Sequence, residues 1–193
     1  SHEDEGNTIE RFNIAQYRWI PSISVPSVGD ILCLATDGTA LYVGTEDAGV
    51  LQMTSAQQGG PIAMSNQSWD TSSGLSANEV NGLGHDVLTG QMIAIHPVSG
   101  MSIIDTNSTV VNQTWTTTNG GLATNQMNSL AVRGGIAYLG TNNQGVERID
   151  IDNSTRLSPW TSTGLDDLDS MPIAIDDETL YLGIYGYGVL VYN

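Results

Sequence analysis

The sequence predicts an all-β fold made of four repeated, four-stranded antiparallel sheets, and three observations predict it. Its four tryptophans, Trp19, Trp69, Trp115 and Trp160, stand 50, 46 and 45 residues apart in a chain of 193. Similar strings surround them: Gln67-Ser68-Trp69 with Gly74-Leu75 and Asn78, Gln113-Thr114-Trp115 with Gly121-Leu122 and Asn125, and Ser158-Pro159-Trp160 with Gly164-Leu165. A fixed period of this size marks a solenoid, a propeller or an array. Finally, the apolar runs are too short for helices, and no window of helical length carries an amphipathic spacing.

Each quarter supplies its strands in the same order. In the first, apolar runs at 31–35, 40–43 and 49–53 are separated by a turn at Asp37-Gly38 and a Gly-bounded loop. The third repeats this at 127–132, 136–139 and 145–149, and the fourth at 171–175, 180–182 and 188–192, with Asp176-Asp177-Glu178 as its first turn. Val, Ile, Leu and Tyr fill the runs, and Asp and Gly hold the turns. The Ser- and Thr-rich stretch ending in tryptophan is the fourth strand of each unit.

Four strands per unit of about 48 residues is the blade of a β-propeller. The chain opens on a tryptophan strand, placed at 11–19, that lacks its own inner strands. It closes on three inner strands that lack a tryptophan strand. The expectation is that the N-terminal strand becomes the outer strand of the last blade and closes a four-bladed ring, removing an open edge. Two alternatives stay open: a two-fold dimer that builds an eight-bladed ring, and a piece of a longer propeller. Residues 1–7 are expected to be a disordered tail and 8–193 a single domain.

The succession of Trp, Gly-Leu, two residues, Asn, an apolar strand and a Gly-Thr-x-x-x-Gly loop resembles the two-component-regulator propeller repeat. That loop reads Gly44-Thr45-Glu46-Asp47-Ala48-Gly49 and Gly140-Thr141-Asn142-Asn143-Gln144-Gly145. The second unit departs from it, with Ile95-His96-Pro97 in place of Gly-Thr. So does the first, where Pro21 and Ile23 replace the Gly-Leu turn. The resemblance implies an extracytoplasmic, sensor-like propeller, and hence an extracellular, periplasmic or cell-surface location.

Composition limits the partners. Five Lys+Arg, all of them arginine, stand against 21 Asp+Glu, a net charge of −16. A cationic patch for phosphate backbones is missing, so nucleic acid is not an expected partner. No apolar run reaches 18 residues, so membrane insertion is not expected either. The single cysteine, Cys33, excludes an internal disulfide and a thiolate cluster, and is expected to pack within an inner strand.

Catalytic signatures are sparse. His85 and His96 lack the spacing of a zinc site, and the sequence has neither a Gly-x-Ser-x-Gly elbow nor a phosphate loop. Calcium is conceivable at Asp150, Asp152 and Asn153, and better at Asp166, Asp167 and Asp169, which lead into an inner strand. Otherwise no cofactor is expected.

The loops between second and third strands differ most against a constant strand frame, as in a scaffold that presents a site. Glu46, Asp47, His96, Asn142, Asn143, Tyr185 and Tyr187 form the expected contact set, for a carbohydrate, peptide or protein ligand. The favoured function is a non-catalytic binding module, sensory or adhesive. The alternative is a propeller enzyme acting on a polysaccharide or lactone.

Overall fold

A computed structural model describes residues 7–25, 28–55, 62–142, 144–161, 172–176, 178–184, 186 and 188–192. The described residues contain strands and turns and no helix. An N-terminal hairpin is formed by β1 (Thr8–Asn13) and β2 (Arg18–Ser24). The first sheet contains β3 (Ile31–Thr36), β4 (Ala40–Thr45), β5 (Val50–Ser55) and β6 (Ile62–Trp69). The second contains β7 (Gly82–Asp86), β8 (Gln91–His96), β9 (Gly100–Asp105) and β10 (Val111–Trp115). The third contains β11 (Met127–Arg133), β12 (Ile136–Thr141), β13 (Val146–Asp150) and β14 (Thr155–Trp160). The last has three strands, β15 (Ile173–Ile175), β16 (Leu180–Ile184) and β17 (Gly188–Tyr192).

Every sheet is an antiparallel meander in chain order, and the first strands β3, β7, β11 and β15 lie against one another in succession. Neighbouring sheets therefore pack face to face, which buries both faces of each internal sheet and explains why their strands read as continuous apolar runs. Consecutive residues serve opposite interfaces. Tyr42, Trp69, Val80 and Met92 fill the space between the first and second sheets, whereas Val43, Leu51 and Met53 pack against Ile23 and Val25 of the N-terminal segment. Ile93, Met101, Trp115, Met127 and Leu139 fill the next interface, and Val146, Leu180 and Leu182 the last, with Trp160 partly buried beside them.

The expected ring closure is not what the N-terminus does. Residues 11–19 are not one strand: a turn at 14–17 divides them, with Tyr17 at φ 50° and the Asn13 carboxamide accepting from the Gln16 N–H at 2.9 Å. β1 and β2 pair with each other, not with the last sheet, and the described strands form no closed sheet. The hairpin packs instead on the first sheet as a third-and-fourth strand pair. Val25, six residues after Trp19, is buried as Leu75 is six residues after Trp69. Because β2 runs on past Trp19, that residue sits beside the hairpin turn and is 69% exposed, edge-on to Phe12, while Trp69 and Trp115 end their strands at 0% and 4%. Asn7, placed in the expected tail, is anchored by its carboxamide to Val28 O and Gly29 O; residues 1–6 lie outside the described residues.

Candidate functional site: the loop face

In an antiparallel meander the second-to-third strand loops and the links between sheets emerge at one end. The repeat motif builds this end. Gly49, Gly100 and Gly145 open the third strands at φ +77°, +78° and +71°, where a Cβ would strike the carbonyl of Trp69, Trp115 or Trp160, so only glycine lets the tryptophan strand pair so closely. Gly49 N–H then donates to Asn78 O and Gly100 N–H to Asn125 O, at 2.9 and 3.0 Å. The two asparagine side chains accept from Thr71 N–H and Thr117 N–H, and Leu75 and Leu122 are buried below. The Gly-Leu and Asn positions of the repeat thus lock each of these two links onto the second-to-third strand loop of the sheet it leaves.

On this frame Glu46 and Asp47 are exposed. Asp47 accepts from Gly29 N–H at 2.7 Å and Glu46 from Asp30 N–H at 3.4 Å, which ties the first loop to the strand entry beside it. Asn142 is half-buried; its N–H donates to Gln126 O, while its carboxamide oxygen is buried without a partner. Asn143, Tyr185, Tyr187, Asp166, Asp167 and Asp169 lie outside the described residues.

His96 departs from expectation: it is fully buried and presents nothing to solvent. It aligns with Thr45 and Thr141, which are also buried and close their own loops by donating to Gly49 O and Gly145 O at 2.9 and 2.8 Å. The larger imidazole reaches further, placing Nδ1 2.8 Å from Glu79 O and Nε2 2.9 Å from Ser102 Oγ. Burial, opposed by the Glu79 carbonyl, holds its pKa below the ordinary 6.5. It is a neutral structural strut joining a loop to a link.

Other reactive groups are similarly spent. Cys33 lies in β3, as expected of an inner strand, and its thiol donates to Val80 O at 3.3 Å; burial pushes its pKa up to about 12. The Asp150 oxygens accept from the backbone and side chain of Asn153 and so cap a turn. His85 is within β7, paired with Met92. Among the described residues, no three His, Cys, Asp or Glu side chains come together as a metal site.

The expected contact set omitted a cleft of about 420 Å³ on this face, between the second sheet and its flanking links. Ser76, Ser99, Thr114, Thr116, Asn119 and Asn125 line it, with Val98 exposed at its rim and no charged side chain. Asn119 N–H donates to Thr116 Oγ1 at 2.9 Å, and its carboxamide donates to Thr114 O at 3.2 Å, which fixes the Thr-rich wall. The run Thr114-Trp115-Thr116-Thr117-Thr118-Asn119 was the available signal. An uncharged wall of hydroxyls and amides in a chain of charge −16 suits a neutral polar ligand.

Neither a protein-family model nor a curated protein matches the sequence. Solved structures do resemble the fold. The extracellular domain of BT4673, described as a hybrid two component system from B. thetaiotaomicron, superposes with TM-score 0.70 at 15% identity, covering 96% of this chain and 26% of that one. PorZ, a bacterial surface component of the type-IX secretion system of Porphyromonas gingivalis, gives 0.58 at 12%, covering 86% and 21%. The computationally designed protein Ika4 gives 0.64 at 13%, covering 88% and 95%. This chain thus spans about a quarter of the two natural proteins and nearly the whole of the designed one. At such identities the likeness carries the fold alone: an all-β succession of propeller-like antiparallel sheets, similar to those in extracellular domains of two-component systems.

Proposed function

We propose that this chain is a non-catalytic binding module of sensory type, acting outside the cytoplasm, with its ligand on the loop face. The observation that carries this reading is the contrast within that face. Buried hydrogen bonds fix one frame in successive units, while Glu46, Asp47 and the neutral Ser/Thr/Asn cleft present different chemistry at equivalent places. The resemblance to extracellular domains of two-component systems supports the same class.

The ligand class is a neutral polar molecule, a glycan or a peptide backbone, held by hydroxyl and amide hydrogen bonds. Ser99→Trp and Asn119→Ala would respectively fill the cleft and loosen its wall. Titration calorimetry against ligands selected from a glycan and peptide array is expected to show at least tenfold weaker binding for both, with the melting temperature retained. Turnover of a polysaccharide or lactone by the purified chain would overturn the assignment.

A further inference from the structure

The sequence contains two Asn-Gly steps, Asn81-Gly82 and Asn119-Gly120, and the fold treats them oppositely. Asparagine is a thermolabile residue, most of all before glycine, because a residue without a Cβ lets its own amide nitrogen swing onto the preceding carboxamide. What holds the backbone decides whether it does.

Asn81-Gly82 is held. Asn81 N–H donates to Ile95 O at 3.1 Å and its carboxamide to Met127 O at 3.0 Å, while its carboxamide oxygen is buried and Gly82 begins β7 opposite Ile95. Rotation here requires a strand to leave its sheet, which is a costly opening.

Asn119-Gly120 is exposed, in the link that follows β10. The bonds that fix this turn use the amides of Thr116, Asn119 and Leu122 and leave that of Gly120 out. Thr116 N–H donates to the Asn119 carbonyl, which draws charge from the nitrogen of the same peptide unit and makes the Gly120 N–H more acidic. The carboxamide itself is held only by two bonds to Thr114, 3.2 and 3.3 Å long. Packing also fixes the glycine: Gly120 sits at φ +91°, where a Cβ would strike the Trp115 ring. The buried indole thus imposes the very residue that makes Asn119 reactive.

We propose that Asn119 is a self-modifying site in the wall of the loop-face cleft. Gly120 N gives its proton to water and bonds to Asn119 Cγ. The Cγ–Nδ2 bond breaks, the nitrogen leaves as ammonia with a proton from water, and a five-membered succinimide remains. Water then opens the ring at either carbonyl, giving aspartate or isoaspartate with no change of oxidation state. The product is a carboxylate in a lining otherwise without charged side chains. Where the carboxamide donated to Thr114 O, two acceptors now face each other, which releases the Thr-rich wall. The reaction proceeds whether or not the cleft binds a ligand.

Peptide mapping by mass spectrometry on the full folded chain, aged at pH 7.5, tests this. Conversion of carboxamide to carboxylate is expected at least tenfold faster at Asn119 than at Asn81, as a mixture of isoaspartate and aspartate. In urea the two sites should react at similar rates, which assigns the difference to the fold. Asn119→Gln, whose ring would need one more atom, should stay unmodified with an unaltered circular dichroism. A ratio below tenfold in the folded chain, an Asn119 still intact when the unfolded chain has reacted, or aspartate without isoaspartate would overturn the proposal.

Discussion

The Trp69 indole N–H donates to the carbonyl of Ser108, 3.0 Å away in the next sheet, whereas the Trp115 indole nitrogen is buried with no partner. The difference comes from the neighbouring turn. Ser108 offers a carbonyl to Trp69, while the buried Ile151 in the corresponding turn packs in the same cluster as Trp115. One position of the repeat thus carries two energies. Trp69→Phe loses a hydrogen bond and strands its acceptor, while Trp115→Phe removes an unpaired donor. Chemical denaturation should show Trp69→Phe to be the more destabilising by about 1–2 kcal/mol.

Trp19 breaks the equivalence altogether. Trp115→Ala should cost about 3–5 kcal/mol, as expected for emptying a packed interface. Trp19→Ala should shift stability by less than about 0.5 kcal/mol. Equal costs would mean that Trp19 is buried between sheets after all.

These differences separate what the sequence could show from what it could not. The inner strands of the first and third sheets were legible because residues on both faces of these sheets pack against neighbours, leaving short apolar runs between Gly and Asp. The N-terminal hairpin was not, since its turn contains no glycine and Tyr17 itself takes the left-handed conformation. The Asn13 cap was its one local sign. His96 was misplaced as a loop tip because alignment with Thr45 and Thr141 gives a position, and only packing shows that the position points inward. The Ser/Thr/Asn cleft arises between elements distant in the chain, so periodicity cannot disclose it.

Burial of His96 makes stability depend on pH. Its folded pKa lies below the ordinary 6.5, so on acidification the unfolded chain takes up a proton that the folded chain refuses. The stabilising effect is complete above about pH 6.5 and declines as pH falls toward the folded pKa. Asp37 contributes lower down. Partial burial raises its pKa, but donors from Ala40, Thr39 and Tyr42 outweigh that and hold it at about 2, so its contribution is lost only as pH falls below the unfolded 3.8. Urea titrations between pH 4.5 and 7.5 should therefore show stability rising with pH in the native chain and a flatter profile in His96→Gln. Identical slopes would contradict a buried neutral imidazole.

Glu147 and Arg156 allow the sharpest energetic test. The Glu147 carboxylate is fully buried in β13, accepts from Ala123 N–H at 2.8 Å, and receives two guanidinium hydrogen bonds from Arg156, each 2.7 Å. It holds the link before its sheet as Ser102 holds Ser76 N–H in the second sheet; in the first, Leu51 occupies the place and packs against the N-terminal segment instead. The repeat therefore tolerates a hydrocarbon at this position, and the ion pair is one local solution among three. Arg156→Met would leave a buried carboxylate with one donor and should cost about 3 kcal/mol. Glu147→Leu should cost less, since the arginine is partly exposed and can turn to water. Combining them removes both charges, so the double variant should be more stable than Arg156→Met alone; a double variant that loses the full sum of the two single costs would show that the pair contributes nothing by its pairing.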